Sequence, residues 1–208
     1  LIIPEIEEST HRTVSVRDAS FSILPRFSVT IEGLKISNKE GHAFDKDEFL
    51  SVETIDLEVK ILELLRSRLE MTHLLIDKPK MYLEVTSEGV ANYSDEQPGE
   101  KSSAEVKVTS DRSGTLLLSN FEIRDGEIIF IDKKGDSRMF ISGYNQIASA
   151  TKFPTQRSIE LNVEASMSKF SYGSLDMFFV KDIPIKARGK LTFNDEQQSL
   201  SLDDVEML

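Results

Sequence analysis

The 208-residue chain has no cysteine and no tryptophan, and aromatics make up only 8% of it. Without cysteine there is neither a disulfide framework nor thiolate chemistry, a result equally at home in the cytosol and the bacterial envelope. With so few aromatics, a stacking platform for nucleic acid or sugar is not expected. Positive charge is in deficit too. The chain carries 25 Lys and Arg against 36 Asp and Glu, for a net charge of −11. That balance argues against binding nucleic acid, which needs clustered cations along its phosphates, and against electrostatic docking on anionic headgroups. No apolar run reaches the roughly 18 residues of a membrane-spanning helix, and no signal peptide is expected within these residues.

Chemistry-bearing motifs are missing as well. There is no glycine-rich phosphate loop, no nucleophile elbow and no paired nucleophile and base, so neither an enzymatic activity nor a cofactor is expected. His11, His42 and His73 are scattered, without metal-ligand spacing. The stretch DKDEF (45–49) begins like a calcium loop but lacks the central glycine and the terminal glutamate. No metal is expected there. Asn92-Tyr93-Ser94 is a formal glycosylation sequon, better read as structural, with Asn92 tolerating left-handed dihedrals in a turn after Gly89.

What is present is a strand-forming pattern. Charged residues at 29% and hydrophobic ones at 39% describe a largely globular chain. Apolar residues alternate at Ile55, Leu57, Val59 and Ile61, and again at Ile159, Leu161, Val163 and Ala165, as half-buried strands require. A strand break is expected at Pro25. Lys60 to Glu70 carries a helical pattern of two or three turns. The spacing predicts a mainly β fold, a curved antiparallel sheet with bulged strands and one or two short helices. Two β units are expected, 1–93 and 115–208, joined by a polar linker at 94–114 rich in Ser, Asp, Glu and Lys. The chain opens on Leu1-Ile2-Ile3-Pro4 and closes within an apolar pattern, and is expected to be a piece of something longer.

The alternation repeatedly loses step. Leu69 and Met71 alternate, the pattern slips across Thr72-His73, and it resumes at Leu74 and Ile76. Val29, Ile31, Leu34 and Ile36 slip at Glu32-Gly33. Leu116, Leu118, Phe121 and Ile123 slip at Ser119-Asn120, and Leu200, Leu202, Val205 and Met207 at Asp203-Asp204. One extra residue in a strand returns the apolar set to its face while bending the strand. Bulges are therefore expected near Gly33, His73 and Asn120. The spacings of the four sets are irregular, so this is no tight solenoid repeat.

The order of features goes further. A unit ending in Ser37-Asn38, with Gly41 soon after, precedes a long alternating strand and a short Leu64-Leu65 segment. Then comes LLIDKPKMYLEVTSEGVANYSDE, in which strand, proline and strand lead to Gly89-x-x-Asn92-Tyr93. This arrangement resembles the N-terminal part of the AsmA family of bacterial envelope proteins, over Phe21 to Gly135 most closely. Tyr93 stands where the family commonly shows Trp, and the family's membrane anchor would lie before Leu1. LSNFEIRDGEIIFIDKKGD looks like a further unit of the same kind. The resemblance implies a Gram-negative periplasmic protein anchored to the inner membrane, similar to bridge-like lipid-transfer proteins, with a role in outer-membrane biogenesis.

On that reading the candidate lipid-groove residues are Val29, Ile31, Leu34, Ile36, Leu69, Met71, Leu74, Ile76, Leu116, Leu118, Phe121 and Ile123, and Gly89, Asn92 and Tyr93 form a structural motif. The expected partner is a phospholipid or other acyl-chain lipid. The alternative is a structural or interaction module that helps assemble outer-membrane proteins, with envelope proteins as its partners.

Overall fold

The computed structural model describes residues 12–23, 26–39, 43–60, 70–94, 117–153, 158–194 and 199–207. Eleven strands follow in chain order: β1 (Val14–Ser15), β2 (Asp18–Ser22), β3 (Phe27–Ser37), β4 (Glu48–Val59), β5 (Glu70–Asp77), β6 (Lys80–Val85), β7 (Leu117–Asp132), β8 (Ser137–Phe153), β9 (Ser158–Gly173), β10 (Phe178–Asn194) and β11 (Ser199–Met207). No helix occurs among the described residues. The helical pattern expected from Lys60 falls on 61–69, and the break at Pro25 on 24–25, both outside them.

All eleven strands belong to one sheet, ordered β1-β3-β4-β5-β7-β8-β9-β10-β11, with β2 also on β3 and β6 between β4 and β7. Strands β5 and β6 behave as one interrupted strand. Thr54↔Asp77 and Ser51↔Lys80 keep a single register against β4 across Lys78-Pro79. The break falls there because proline brings no N–H to the ladder.

The sheet is antiparallel except at one junction. β5 and β6 run parallel to β7, from Glu70↔Leu117 to Val85↔Asp132. Parallel neighbours cannot be joined by a hairpin and need a long crossover. The polar stretch expected as a linker lies within that crossover, and the strands on its two sides share one sheet.

The slips in alternation have two structural forms. In β5, Met71 pairs with Val59 while His73 pairs with Glu58, so one extra residue is accommodated there. In β7, Leu118 pairs with Ala150 and Phe121 with Ala148, three residues against two. In β11, Asp203 pairs with Lys190 and Glu206 with Arg188, with Asp204 left-handed at φ 53°. These are bulges. Gly33 differs from the expectation. Its φ is +63°, yet Glu32↔Thr54 and Leu34↔Val52 keep the ladder in register. The partner strand slips at the same level, from Val52 to Ile55, so both strands kink together and no extra residue is left over.

Left-handed backbone recurs along this line. Lys78 and Asp125, both at φ 48°, are neighbours by register, and Gly143 lies beyond them at φ 61°. A crease therefore crosses the sheet from β3 to β8.

Among the described residues the strands form one layer with no closed core. Among the described residues the buried apolar side chains are Val14, Val52, Val59, Leu75, Tyr82 and Ala148.

Candidate functional site

Residues paired directly across neighbouring strands share a face of the sheet, so register alone assembles the site. One row runs Ile31, Ile55, Ile76, Ile123, Gln146, Ala165, Ala187. Beside it run Val29, Leu57, Leu74, Phe121, Ala148 and Val163. Across the crease a third row holds Ile36, Leu50, Met81, Ile128, Ile141, Phe170 and Ile183. The one-residue slips bring all three rows onto one face. Without them, Ile36 and Met81 would point away from Ile31 and Ile76.

The opposite face carries the charges, alongside Ile129, Phe140 and Ile147. Ion pairs join Arg26 to Glu58 at 3.1 Å, Lys35 to Glu48 at 3.1 Å, Lys80 to Glu127 at 2.9 Å, and Lys186 to Glu164 at 2.8 Å. Each contributes little to stability. Together they give this face its affinity for water and leave the apolar face as the distinct one. A depression of about 650 Å³, lined by Asn120, Ile147, Glu164, Arg188 and Glu206, lies on this charged side. A second, of about 410 Å³, follows the crease past Arg17, Glu53, Lys78 and Glu127. Among the described residues, all strands lie in one sheet and no second layer covers the apolar face.

Of the residues singled out in the sequence, Val29, Ile31, Leu34, Ile36, Met71, Leu74, Ile76, Phe121 and Ile123 are all half-buried. Leu118 is paired through its backbone with Met71 and Ala150. Leu69 and Leu116 lie outside the described residues. Sequence reasoning missed the continuation of the face through β4 and β8–β10. Its signal was available: Val52 to Ile55, Met167 to Phe170 and Val180 to Ile183 show the same three-residue step.

Gly89, Asn92 and Tyr93 occupy one end of the sheet. Gly89 turns the chain with φ +90°. Asn92 lies in the turn expected of it, but it is not among the left-handed residues. Its side chain is fully buried. Its Nδ2 donates to Asn38 Oδ1 at 2.9 Å and to the Tyr82 carbonyl at 2.8 Å, and its Oδ1 accepts from the Glu84 N–H at 2.9 Å. Tyr93 is half exposed, its ring 6.4 Å from that of Phe130.

Around Asn92 the polar groups interlock. Arg12 donates to the Ser37 and Asn92 carbonyls and stacks over Phe49. Glu84, with no exposed surface, accepts from the Asp45 N–H at 2.9 Å and pairs with Lys133 at 2.6 Å. Hydrogen bonds to Asp45 and Glu84 raise the Lys133 ammonium above its ordinary value. Burial, reinforced by the Glu84 charge, pushes the Tyr82 phenol up to about 12. Hydrogen bonds and the Lys133–Glu84 ion pair tie these groups together, so the cluster fastens this end of the sheet.

His73 lies at the β5 bulge and contacts Asn120 at the β7 bulge, Nδ1 to Nδ2 at 3.1 Å. His11 and His42 fall outside the described residues. Among those described, no group of three or more His, Asp and Glu is arranged to hold a metal ion. No described helix is long and apolar enough to cross a membrane.

No curated protein sequence matches the chain. The sequence model of the AsmA family matches residues 1–201, and the chain belongs to the AsmA family.

Proposed function

We propose that the apolar face binds acyl-chain lipid and guides it through an aqueous compartment, and that the protein does not catalyse a reaction. The observation carrying this reading is the set of half-exposed apolar rows, continuous over neighbouring strands from β3 to β10, with no second layer over them among the described residues. A lipid tail gains about 0.8 kcal/mol for each methylene it removes from water. Rows of branched side chains laid side by side supply that shelter along their length. Membership of the AsmA family supports a role in the cell envelope and in outer-membrane biogenesis. The location that follows is the periplasm, with an inner-membrane anchor outside this sequence and with phospholipid as the cargo.

The test is organic extraction of the purified protein followed by mass spectrometry. Acyl lipids recovered in amounts comparable with the protein are the expected result. Extracts without lipid, together with no uptake of a fluorescent fatty acid, would contradict the reading. That outcome would favour a structural module assisting assembly of outer-membrane proteins. The observation on its side is the edge strand β11, where Val205 and Met207 are exposed and another strand can add.

A further inference from the structure

The isoleucine row is interrupted once by a polar side chain. Gln146 pairs with Ile123 on one side and Ala165 on the other, which places its amide on the apolar face. Tyr144, two residues earlier on the same strand, shares that face, and its hydroxyl donates to Gln146 Oε1 at 2.5 Å. Burial raises the Tyr144 phenol, which keeps the hydroxyl protonated and donating. This bond uses the amide oxygen, and among the described residues the Nε2 hydrogens have no protein acceptor. The flanking positions are small: Ala165 lies beside Gln146, and Gly126 lies opposite Tyr144. An oriented amide donor thus stands beside small residues on a largely apolar face.

We propose that Gln146 Nε2 binds the ester carbonyl of an acyl lipid, with Tyr144 positioning the amide and the acyl tail lying along Ile123, Ile76, Ile55 and Ile31. From β8 to β3 the row crosses four strand spacings, about 19 Å at ~4.8 Å each, a reach suited to an extended acyl chain. A neutral donor suits an uncharged carbonyl better than a carboxylate, which calls for a cation. The proposal rests on the lipid-binding reading and adds to it the part of the lipid that is recognised and where it sits.

The experiment compares two lysophosphatidylcholines of equal chain length, one ester-linked at the palmitoyl chain and one ether-linked, by displacement of a fluorescent fatty acid from the full chain. They differ only in the carbonyl. One hydrogen bond predicts about fivefold tighter binding of the ester. Gln146→Met, which keeps the bulk and removes the donor, is expected to equalise the two by weakening the ester alone. Tyr144→Phe is expected to reduce the preference in part. Circular dichroism melts confirm that each variant folds, and palmitate in a third arm should bind no better than the ester. Equal binding of ester and ether by the unmutated protein, or a preference that survives in Gln146→Met, overturns the proposal while leaving lipid binding intact. Binding of neither lipid overturns both readings. A palmitate preference abolished by Gln146→Met would assign the site to carboxylates and overturn the ester assignment.

Discussion

Asn92 Nδ2 and Asn38 Oδ1 meet at 2.9 Å across 54 residues of sequence, in a site where Asn92 has no exposed surface. The bond joins the turn after β6 to the end of β3, and Asn92 Oδ1 holds the Glu84 N–H in the same cluster. Replacing Asn92 by Ala leaves buried donors and acceptors without partners. The expected cost is about 2–4 kcal/mol, since each such group costs roughly 1–3 kcal/mol. Asn92→Asp should fare no better, because it removes both Nδ2 donors and adds a buried charge. Chemical denaturation checks both variants. A loss within experimental error for Asn92→Ala would contradict the account of the cluster.

The crease has its own requirement. A Cβ on Gly33 would stand 2.9 Å from Arg17 Cβ, on a backbone already at φ +63°. Gly33→Ala is expected to destabilise by about 1–2 kcal/mol. Gly33→Asn should cost less at the backbone, because Asn tolerates left-handed dihedrals. Equal stability of Ala and Gly at this position would show that the kink is not needed.

The crossover between β6 and β7 is a matter of length. The Tyr93 ring packs at a tilt 6.4 Å from that of Phe130, near the far end of β7, while Leu117 begins that strand. The chain must return by about 40 Å, taking ~3.3 Å for each residue of strand. Residues 95–116 span at most about 75 Å when extended. Removing six of them should leave the melting temperature nearly unchanged. Removing fourteen leaves a reach of about 28 Å, and should abolish the parallel pairing and cooperative melting. Full tolerance of the longer deletion would contradict the parallel junction.

How the sequence related to this fold depends on what alternation encodes. It encodes which face a side chain takes. The slips at Thr72-His73 and Ser119-Asn120 were therefore readable as bulges, and the shared kink at Gly33 was readable as a slip but not as an in-register one. Alternation carries no information on strand direction. The parallel β5–β7 pairing left only an indirect trace, the long polar stretch, which reads equally well as a boundary between two units. Asn92 was legible as a residue near a turn. Its burial depends on Arg12, Asn38 and Glu84, whose proximity no local pattern records. Gln146 was overlooked for a related reason: as a polar residue among alanines, it becomes conspicuous only when register sets it beside Ile123.

The charged face predicts a pH profile. Side-chain hydrogen bonds from Lys78, Arg124 and Lys186 hold the Glu53, Glu122 and Glu164 carboxyls below their ordinary values. A depressed folded value stabilises above the unfolded carboxyl pKa of about 4.3. That contribution is lost as pH falls through the lower folded values. Lys78 and Lys133 are raised by their carboxylate partners. Their contribution is complete below the unfolded lysine pKa of about 10.4 and is lost as pH rises through the higher folded values. Melting temperature should be flat between about pH 5 and 9 and fall on either side. Added salt should shrink the acid loss, since these pairs are largely exposed. A melting temperature that rises below pH 4 would contradict this assignment of the pairs.

The most direct test of the open apolar face is Ile76→Asp, measured for thermal stability and for fluorescent fatty-acid binding beside the unmutated protein. Ile76 is half-buried in the middle of its row, so water can reach an introduced carboxylate. The expected result is a folded variant that has lost about 1 kcal/mol or less of stability and no longer binds the lipid that the unmutated protein takes up. Unfolding of the variant, at the cost of several kcal/mol that a charge buried in a closed core exacts, with no binding by the unmutated protein, would contradict the account.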